Sequence, residues 1–101
     1  MSHAMRTHDK EIYLNEDRYS DPKEIHKRMA RLALDSGVLK PGAVVADFGC
    51  AGGELLHHTA SVCPDAAYMG FDVVDELLAK AAQAVPQATF RPGSVLDAGL
   101  L

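Results

Sequence analysis

The chain has 101 residues, of which 48% are hydrophobic, and its formal net charge is −4. This length allows one domain at most, and the composition favours a folded globular chain over a disordered one. The sequence contains no apolar run of membrane-spanning length, no evident signal peptide and no basic stripe. We therefore expect no membrane span, no secretory leader and no nucleic acid as an obligatory partner.

Residues 1–20 are polar and mixed, and we predict an N-terminal arm with at most one short turn. The stretch from Asp21 to Glu24 is typical of a helix start, with Asp21 as the N-cap residue and a proline in the first turn. Gly37 is predicted to end this helix in a left-handed conformation. Apolar residues at helical spacing predict one buried face, formed by Ile25, Met29, Leu32 and Ala33.

A strand over about residues 43–48, a glycine-rich turn and a helix over about residues 53–62 follow. The turn contains Gly49, Gly52 and Gly53, and glycine allows a backbone to approach a ligand closely. The helix start would suit a carboxylate or phosphate, because it offers unpaired N–H groups and a positive dipole end. Asp47, at the carboxyl end of the strand, faces the same crevice and would suit an amine.

A second strand over residues 67–71 places Asp72 at its carboxyl end, and a helix over about residues 75–84 follows with Asp75 as the predicted cap. A third strand is predicted over residues 88–91. In dinucleotide-binding folds, an acid about 20 residues after the glycines accepts hydrogen bonds from ribose hydroxyls. The alternating strands and helices predict the α/β class, with a Rossmann-like, doubly wound parallel sheet limited to strands 1–3 and an extra N-terminal helix.

The glycine turn resembles motif I of the class I S-adenosylmethionine-dependent methyltransferases, an acid followed by alternating glycines. It matches at Asp47, Gly49 and Gly53, whereas Ala51 replaces the middle glycine. The stretch from Gly70 to Ala81 also follows their pattern of a strand-end acid leading into a helix. The dinucleotide fingerprint G-x-G-x-x-G fits this turn less well.

The resemblance implies S-adenosylmethionine as the cofactor. It assigns Asp47 to the methionine amine, Asp72 to the ribose and Val73 to the side of the adenine, and it makes residues 1–20 a candidate lid with Tyr13 and Tyr19 as contacts. Ser94 stands where the family has an acid, with Asp97 as the other candidate. No catalytic residue or metal ligand is assigned. The predicted cofactor-binding residues are Asp47, Gly49, Cys50, Ala51, Gly53, Asp72, Val73, Ser94 and Val95.

The resemblance covers residues 10–101 but only the first half of the family's domain, so residues 21–101 are expected to be an N-terminal half and the chain a fragment. In the family's strand order, 3-2-1-4-5-7-6, strand 1 would then lie on an exposed edge, which predicts a homodimer through that edge. A non-catalytic cofactor-binding or interaction module and half of a nucleotide-binding oxidoreductase remain alternatives. Cys50 and Cys63 are expected to be reduced thiols in the cytoplasm.

Overall fold

The computed structural model describes residues 7–94 and residue 96. Helices and strands alternate from the second helix onward, as expected for a chain that crosses repeatedly from strand to helix. The elements in chain order are α1 (Thr7–Asn15), α2 (Glu24–Asp35), β1 (Val44–Phe48), α3 (Glu54–Val62), β2 (Ala67–Asp72), α4 (Asp75–Ala84) and β3 (Thr89–Pro92).

The three strands form one parallel sheet in the order β1-β2-β3. Val45 pairs with Tyr68 and Asp47 with Gly70, so the carboxyl ends of β1 and β2 lie side by side. Each crossover contains a helix, as parallel strands require. The predicted α/β class, the parallel sheet and the extra N-terminal helix are therefore confirmed, and β1 lies at an edge of the described sheet.

The core lies between α3, α4 and one face of the sheet. Its largest fully buried side chains are Leu56, Leu77 and Val85. The hydroxyl of buried Tyr68 is hydrogen-bonded within this layer. Its proton is shared between the carbonyl oxygens of Cys63 at 2.6 Å and Thr59 at 3.0 Å. The end of α3 is thereby fixed to the middle of β2.

The opposite face of the sheet is open except around Phe71, which is 2% exposed. Val44 is 71% exposed, and Ala46 and Ala67 on the same face are also exposed, as are Thr89 and Arg91 of β3. Strands buried on both faces are the rule in parallel sheets. The described residues therefore cover one face of the sheet. The apolar residues of β1 would suit a sheet that is covered on both faces.

The N-terminal segments differ from the sequence-based expectations. The predicted arm contains a helix, α1, and Lys80 on α4 holds its end by donating from Nζ to the carbonyl oxygen of Glu16 at 3.0 Å. Helix α2 begins at Glu24 with Lys23 as N-cap, so the prediction of Asp21 as the cap is wrong. The Asp21 carboxylate instead pairs with Arg18 at 3.2 Å.

The prediction that the larger apolar residues of α2 are buried is also wrong. Ile25, Met29 and Leu32 are 58%, 46% and 70% exposed. The face that packs inward carries the small residues Ala30 and Ala33, and α2 contacts α3. Gly37 has φ 79°, which confirms the left-handed end predicted for this helix.

The start of α4 is a further correction. Its N-cap residue is Val74, and Asp75 is its first helical residue, so the predicted cap role of Asp75 is wrong. The amide of Val74 donates to the Asp72 carboxylate instead. Both cysteines are free and buried, which agrees with the expectation of thiols rather than a disulfide. Among the described residues, no helix is long and apolar enough to cross a membrane.

Candidate cofactor site

The glycine turn lies at the carboxyl ends of β1 and β2 and adopts the left-handed conformations predicted for it. Gly49 and Gly53 have φ of 82° and 77°, and Ala51 has φ 50°, a conformation that costs a residue with a Cβ about 1–2 kcal/mol. A Cβ on Gly53 would lie 3.0 Å from the Cβ of Ala81, so this glycine also permits α3 to start close against α4. The turn brings its predicted binding residues together in one place.

Most amides of the turn are used within the chain. The amides of Gly49 and Cys50 donate to the carbonyl oxygen of Phe71 at 2.7 and 3.0 Å, and that of Gly53 donates to the carbonyl oxygen of Cys50 at 2.8 Å. The Ala51 amide donates to the carboxylate of Asp72 at 2.8 Å. These four hydrogen bonds fix the shape of the turn.

Asp72 is only 4% exposed, and both of its carboxylate oxygens accept backbone hydrogen bonds. Oδ2 accepts from Ala51 N at 2.8 Å and Oδ1 from Val74 N at 2.9 Å. A carboxylate has about four lone-pair sites, so two remain for hydroxyl donors. Asp72 thus joins β2, the glycine turn and α4, and its role in ribose binding remains a prediction.

Asp47 lies half-buried at the end of β1. Burial raises the pKa of its carboxyl above the ordinary value, and the nearby carboxylates of Asp72 and Glu54 raise it further. Three acidic side chains thus lie close together at the carboxyl ends of the strands. A cationic ligand group placed among them would relieve their mutual repulsion.

Cys50 behaves as a packing residue. Its side chain is 3% exposed, and a Cβ on Gly70 would come within 2.9 Å of its sulfur. Burial, together with Asp72 and Asp47, raises the pKa of the Cys50 thiol to about 12. The thiol is therefore uncharged at neutral pH and is not a nucleophile there.

Only some of the residues predicted to contact the adenine are among the described residues. Val73 is 55% exposed and directly follows β2. Ser94 is half-buried, and its hydroxyl oxygen accepts from Leu96 N at 3.2 Å. Val95 and Asp97 lie outside the described residues, so the assignments of Ser94, Val95 and Asp97 stay predictions.

A cavity of about 290 Å³ lies between α2 and the glycine turn. Tyr13, Lys23 and His26 line it on the N-terminal side, and Asp47 and Glu54 line it on the turn side. Lys23, His26 and Glu54 were not predicted as site residues. An acid at the first helical position is common as a dipole partner, so the sequence carries no signal that Glu54 would be buried.

The segment between α1 and α2 contacts the turn directly. The hydroxyl of Tyr19 donates to the carbonyl oxygen of Gly52 at 2.6 Å, and the ammonium of Lys80 lies 5.4 Å from the centre of the Tyr19 ring. Burial and the nearby Glu54 carboxylate raise the pKa of Tyr19 to about 12, so its hydroxyl keeps the proton that it donates. The contact of Tyr19 with the site agrees with its predicted place; its function as a lid remains a prediction.

Glu54 is the most unusual group of this site. It is 3% exposed, yet its Oε2 atom has no hydrogen-bond partner among the described residues. Burial raises the pKa of this carboxyl, whereas a hydrogen bond from the residue's own backbone amide and then the positive charges of Lys80 and Lys23 lower it. An unpaired buried carboxylate oxygen costs stability, which a suitable donor from a ligand would recover.

The parallel sheet, the left-handed glycine turn and the strand-end acids are arranged as in a class I methyltransferase fold. No protein-family model and no curated protein matches the chain. Solved structures do match: a putative sarcosine dimethylglycine methyltransferase from Galdieria sulphuraria aligns over 83% of this chain and 36% of its own, with 12% identity and a TM-score of 0.67.

Two further structures give the same result. YjhP from E. coli aligns over 83% of this chain and 36% of its own, at 22% identity and a TM-score of 0.62. CalS10, an amino pentose methyltransferase from Micromonospora echinaspora solved with bound S-adenosylmethionine, aligns over 98% of this chain and 40% of its own, at 19% identity and a TM-score of 0.55. The chain shares their fold, which confirms the resemblance at that level, and it spans little more than a third of their length.

The histidines supply no metal site in this region. His57 packs its ring against Tyr19, with centroids 5.1 Å apart. Within residues 7–94 and residue 96, no group of three or more histidine, cysteine, aspartate or glutamate side chains is arranged to hold a metal ion.

Proposed function

We propose that this chain binds S-adenosylmethionine as the N-terminal half of a methyltransferase domain that transfers a methyl group to an acceptor. The observation that carries the proposal is the pair of acids, Asp47 and Asp72, at adjacent strand ends around a left-handed glycine turn. The shared fold supports it, because CalS10 holds S-adenosylmethionine on a fold of this kind. The unpaired Oε2 atom of Glu54 and the acidic groups at the carboxyl ends of the strands also fit a ligand that carries an ammonium and a sulfonium group.

The residues of this chain would bind and orient the cofactor. Asp47 would accept from the methionine amine, Asp72 would accept from the ribose hydroxyls with its two remaining lone pairs, and Val73 would lie beside the adenine. When bound, the cofactor supplies a methyl group already activated by the sulfonium for in-line attack. The contribution of the protein is then mainly positioning, and the proposal assigns no general base.

Calorimetric titration of the 101-residue chain with S-adenosylmethionine and, separately, with NAD tests this proposal. We expect binding of the first and none of the second. Asp47→Asn should weaken binding, because a neutral amide accepts less strongly from an ammonium. Asp65→Asn is the matched control, since Asp65 is exposed and lies in the loop before β2, at the other end of the sheet.

The alternatives give different results in the same experiment. Binding of NAD without binding of S-adenosylmethionine would favour half of an oxidoreductase and refute the proposal. Cofactor binding by the complete parent protein without methyl transfer to any acceptor would favour a non-catalytic module. A cytoplasmic location belongs to the proposal as well, and the two buried free thiols, Cys50 and Cys63, support it, because reducing compartments preserve such groups.

We also propose that the chain pairs with a second copy through the edge strand β1. Val44 and Ala46 are exposed there, and an apolar strand with a free edge is a template for pairing. Sedimentation equilibrium at several concentrations should give a dimer that Val44→Lys weakens, whereas Val38→Lys, at an equally exposed residue outside the sheet, should have no effect. A monomer mass independent of concentration would refute the pairing.

A further inference from the structure

Helix α2 is held to the rest of the fold by few interactions. Among the described residues, no side-chain hydrogen bond or ion pair joins it to another element, and its ion pair between Lys27 and Glu24 lies within the helix. Its main contact is with α3, and its buried residue is the small Ala30. Segments with few buried apolar contacts open locally at a low cost in free energy. A modest change in the contact with α3 should therefore be enough to release α2.

His26 lies on the face of α2 that packs inward. Residues 26, 30 and 33 recur at the spacing that places side chains on one side of a helix. Ala30 is buried and Ala33 packs against the core, so the imidazole ring belongs to the same face. The Nδ1 atom of His26 is buried and has no hydrogen-bond partner among the described residues. The interface thus accommodates a neutral ring and offers a protonated Nδ1 no acceptor.

The charges around His26 also disfavour its protonated form. Burial lowers the pKa of His26 below the ordinary value of 6.5, and the positive charges of Lys23 and His58 lower it further. Lys23 is the N-cap residue of α2, and His58 lies on α3, so the repulsion comes from both sides of the interface. Glu16, in the segment before α2, acts in the opposite direction.

Two carboxyl groups line the cavity that His26 also lines. Asp47 and Glu54 stand there on the side of the glycine turn. Burial raises the pKa of both carboxyls, so their negative charge weakens as the solution becomes acidic. The negative charge that could offset an imidazolium is therefore smallest in the pH range where His26 takes up its proton.

We propose that protonation of His26 releases α2 from α3, which makes α2 an acid-sensitive wall of the cavity beside the glycine turn. The released helix binds the proton more readily than the packed helix does, because water solvates the imidazolium. The contribution of His26 to packing is then fully present above the ordinary pKa of 6.5 and is lost as the pH falls below that value. Release of α2 would open the candidate cofactor cavity, and this consequence alone rests on the proposed function.

Amide hydrogen exchange of the whole chain at pH 7 and pH 5, corrected for the intrinsic effect of pH on exchange, tests the proposal. We expect the protection of α2 to fall severalfold at pH 5, whereas the protection of β2 stays unchanged. An NMR titration of the His26 ring should give a midpoint below 6.5.

Two variants remove the titrating group in different ways. His26→Phe keeps a ring of the same kind without a charge, and His26→Gln keeps a neutral polar side chain. Both should abolish the selective loss of protection in α2 at pH 5. His57→Gln is the matched control, because His57 packs against Tyr19 on α3's other neighbour, with ring centroids 5.1 Å apart, and should leave the loss unchanged. His58→Gln removes one of the repelling charges and should reduce the loss without abolishing it.

Every other result contradicts the proposal. Equal loss of protection in α2 and β2 at pH 5 would indicate global unfolding and would overturn it. A loss confined to α2 that persists in both His26 variants would assign the effect to another group. A titration midpoint of His26 at or above 6.5, or an α2 already unprotected at pH 7, would overturn it as well. None of these measurements involves a cofactor, so their failure leaves the proposed function untouched.

Discussion

Replacing Asp72 with alanine removes both side-chain hydrogen bonds that join the end of β2 to the glycine turn and to α4. The acceptor oxygens lie 2.8 Å from Ala51 N and 2.9 Å from Val74 N. Hydrogen bonds to charged groups contribute about 1.5–3 kcal/mol each, so the loss of two should lower the free energy of unfolding by about 3–6 kcal/mol. Domains of this size have about 5–15 kcal/mol in total, so Asp72→Ala is expected to be close to unfolding.

Asp72→Asn removes one of the two hydrogen bonds and keeps the other. The amide keeps one acceptor oxygen and replaces the other with an NH₂ group that cannot accept, so the expected loss is about half, or 1.5–3 kcal/mol. Asp75→Asn is the matched control, because Asp75 is exposed at the start of α4 and should change stability by less than about 1 kcal/mol through the helix dipole.

Urea denaturation followed by circular dichroism measures these differences, provided that the slope of the transition is unchanged. If Asp72→Ala unfolds within about 1 kcal/mol of the parent, the two bonds do not hold the turn and the reasoning fails. A loss of ligand binding in Asp72→Ala alone is not evidence for a ribose contact, because the turn is disturbed as well. Loss of affinity in Asp72→Asn, measured well below its denaturation midpoint, is the informative result.

Three further perturbations follow from the same contacts. Burial raises the pKa of Glu54, so the cost of its buried charge to folding is absent below the ordinary pKa of 4.5 and grows as the pH rises above that value. Glu54→Gln should therefore be more stable than the parent at pH 7 but not at pH 4. Equal stability of the two proteins at both pH values would refute this. Lys80→Met removes the donors to the carbonyls of Tyr13 and Glu16 and should speed amide hydrogen exchange in α1 without changing exchange in β2. Gly70→Ala would place a Cβ 2.7 Å from the aromatic ring on β3 and should cost about 1–3 kcal/mol in urea denaturation.

The strands, α3 and α4 could be predicted from the sequence because their signals are local. The apolar run before the turn and the acid at the end of β2 depend only on periodicity and on the positions of the glycines. Helix α2 shows the limit of this reasoning. Its strongest apolar periodicity is at Ile25, Met29 and Leu32, yet the residue that the structure buries is Ala30. Which side of a helix packs inward is a tertiary property that no local pattern encodes.

Prediction of the site residues is limited in the same way. Asp47 and the turn glycines were found because their spacing is regular, whereas Lys23 and Glu54 meet across one cavity from separate elements and have no shared motif. The expectation that Asp75 caps α4 is wrong for a physical reason. Asp72 precedes the helix by a short bend and reaches the Val74 amide first, as aspartates in turns commonly do.

Glu54 and Asp72 are both buried acids of one site, but the structure gives them opposite effects on stability. Asp72 uses both oxygens to hold the turn, so neutralising it should destabilise the chain and weaken the ligand together. Glu54 leaves an oxygen unpaired, so neutralising it should stabilise the chain and weaken the ligand. Opposite signs of this kind separate a group that serves binding alone from one that serves both binding and folding, because a group that only binds is kept in the site at a cost to folding. Measuring both free energies for the two matched amide variants therefore identifies which acid serves the ligand alone and which also serves the fold.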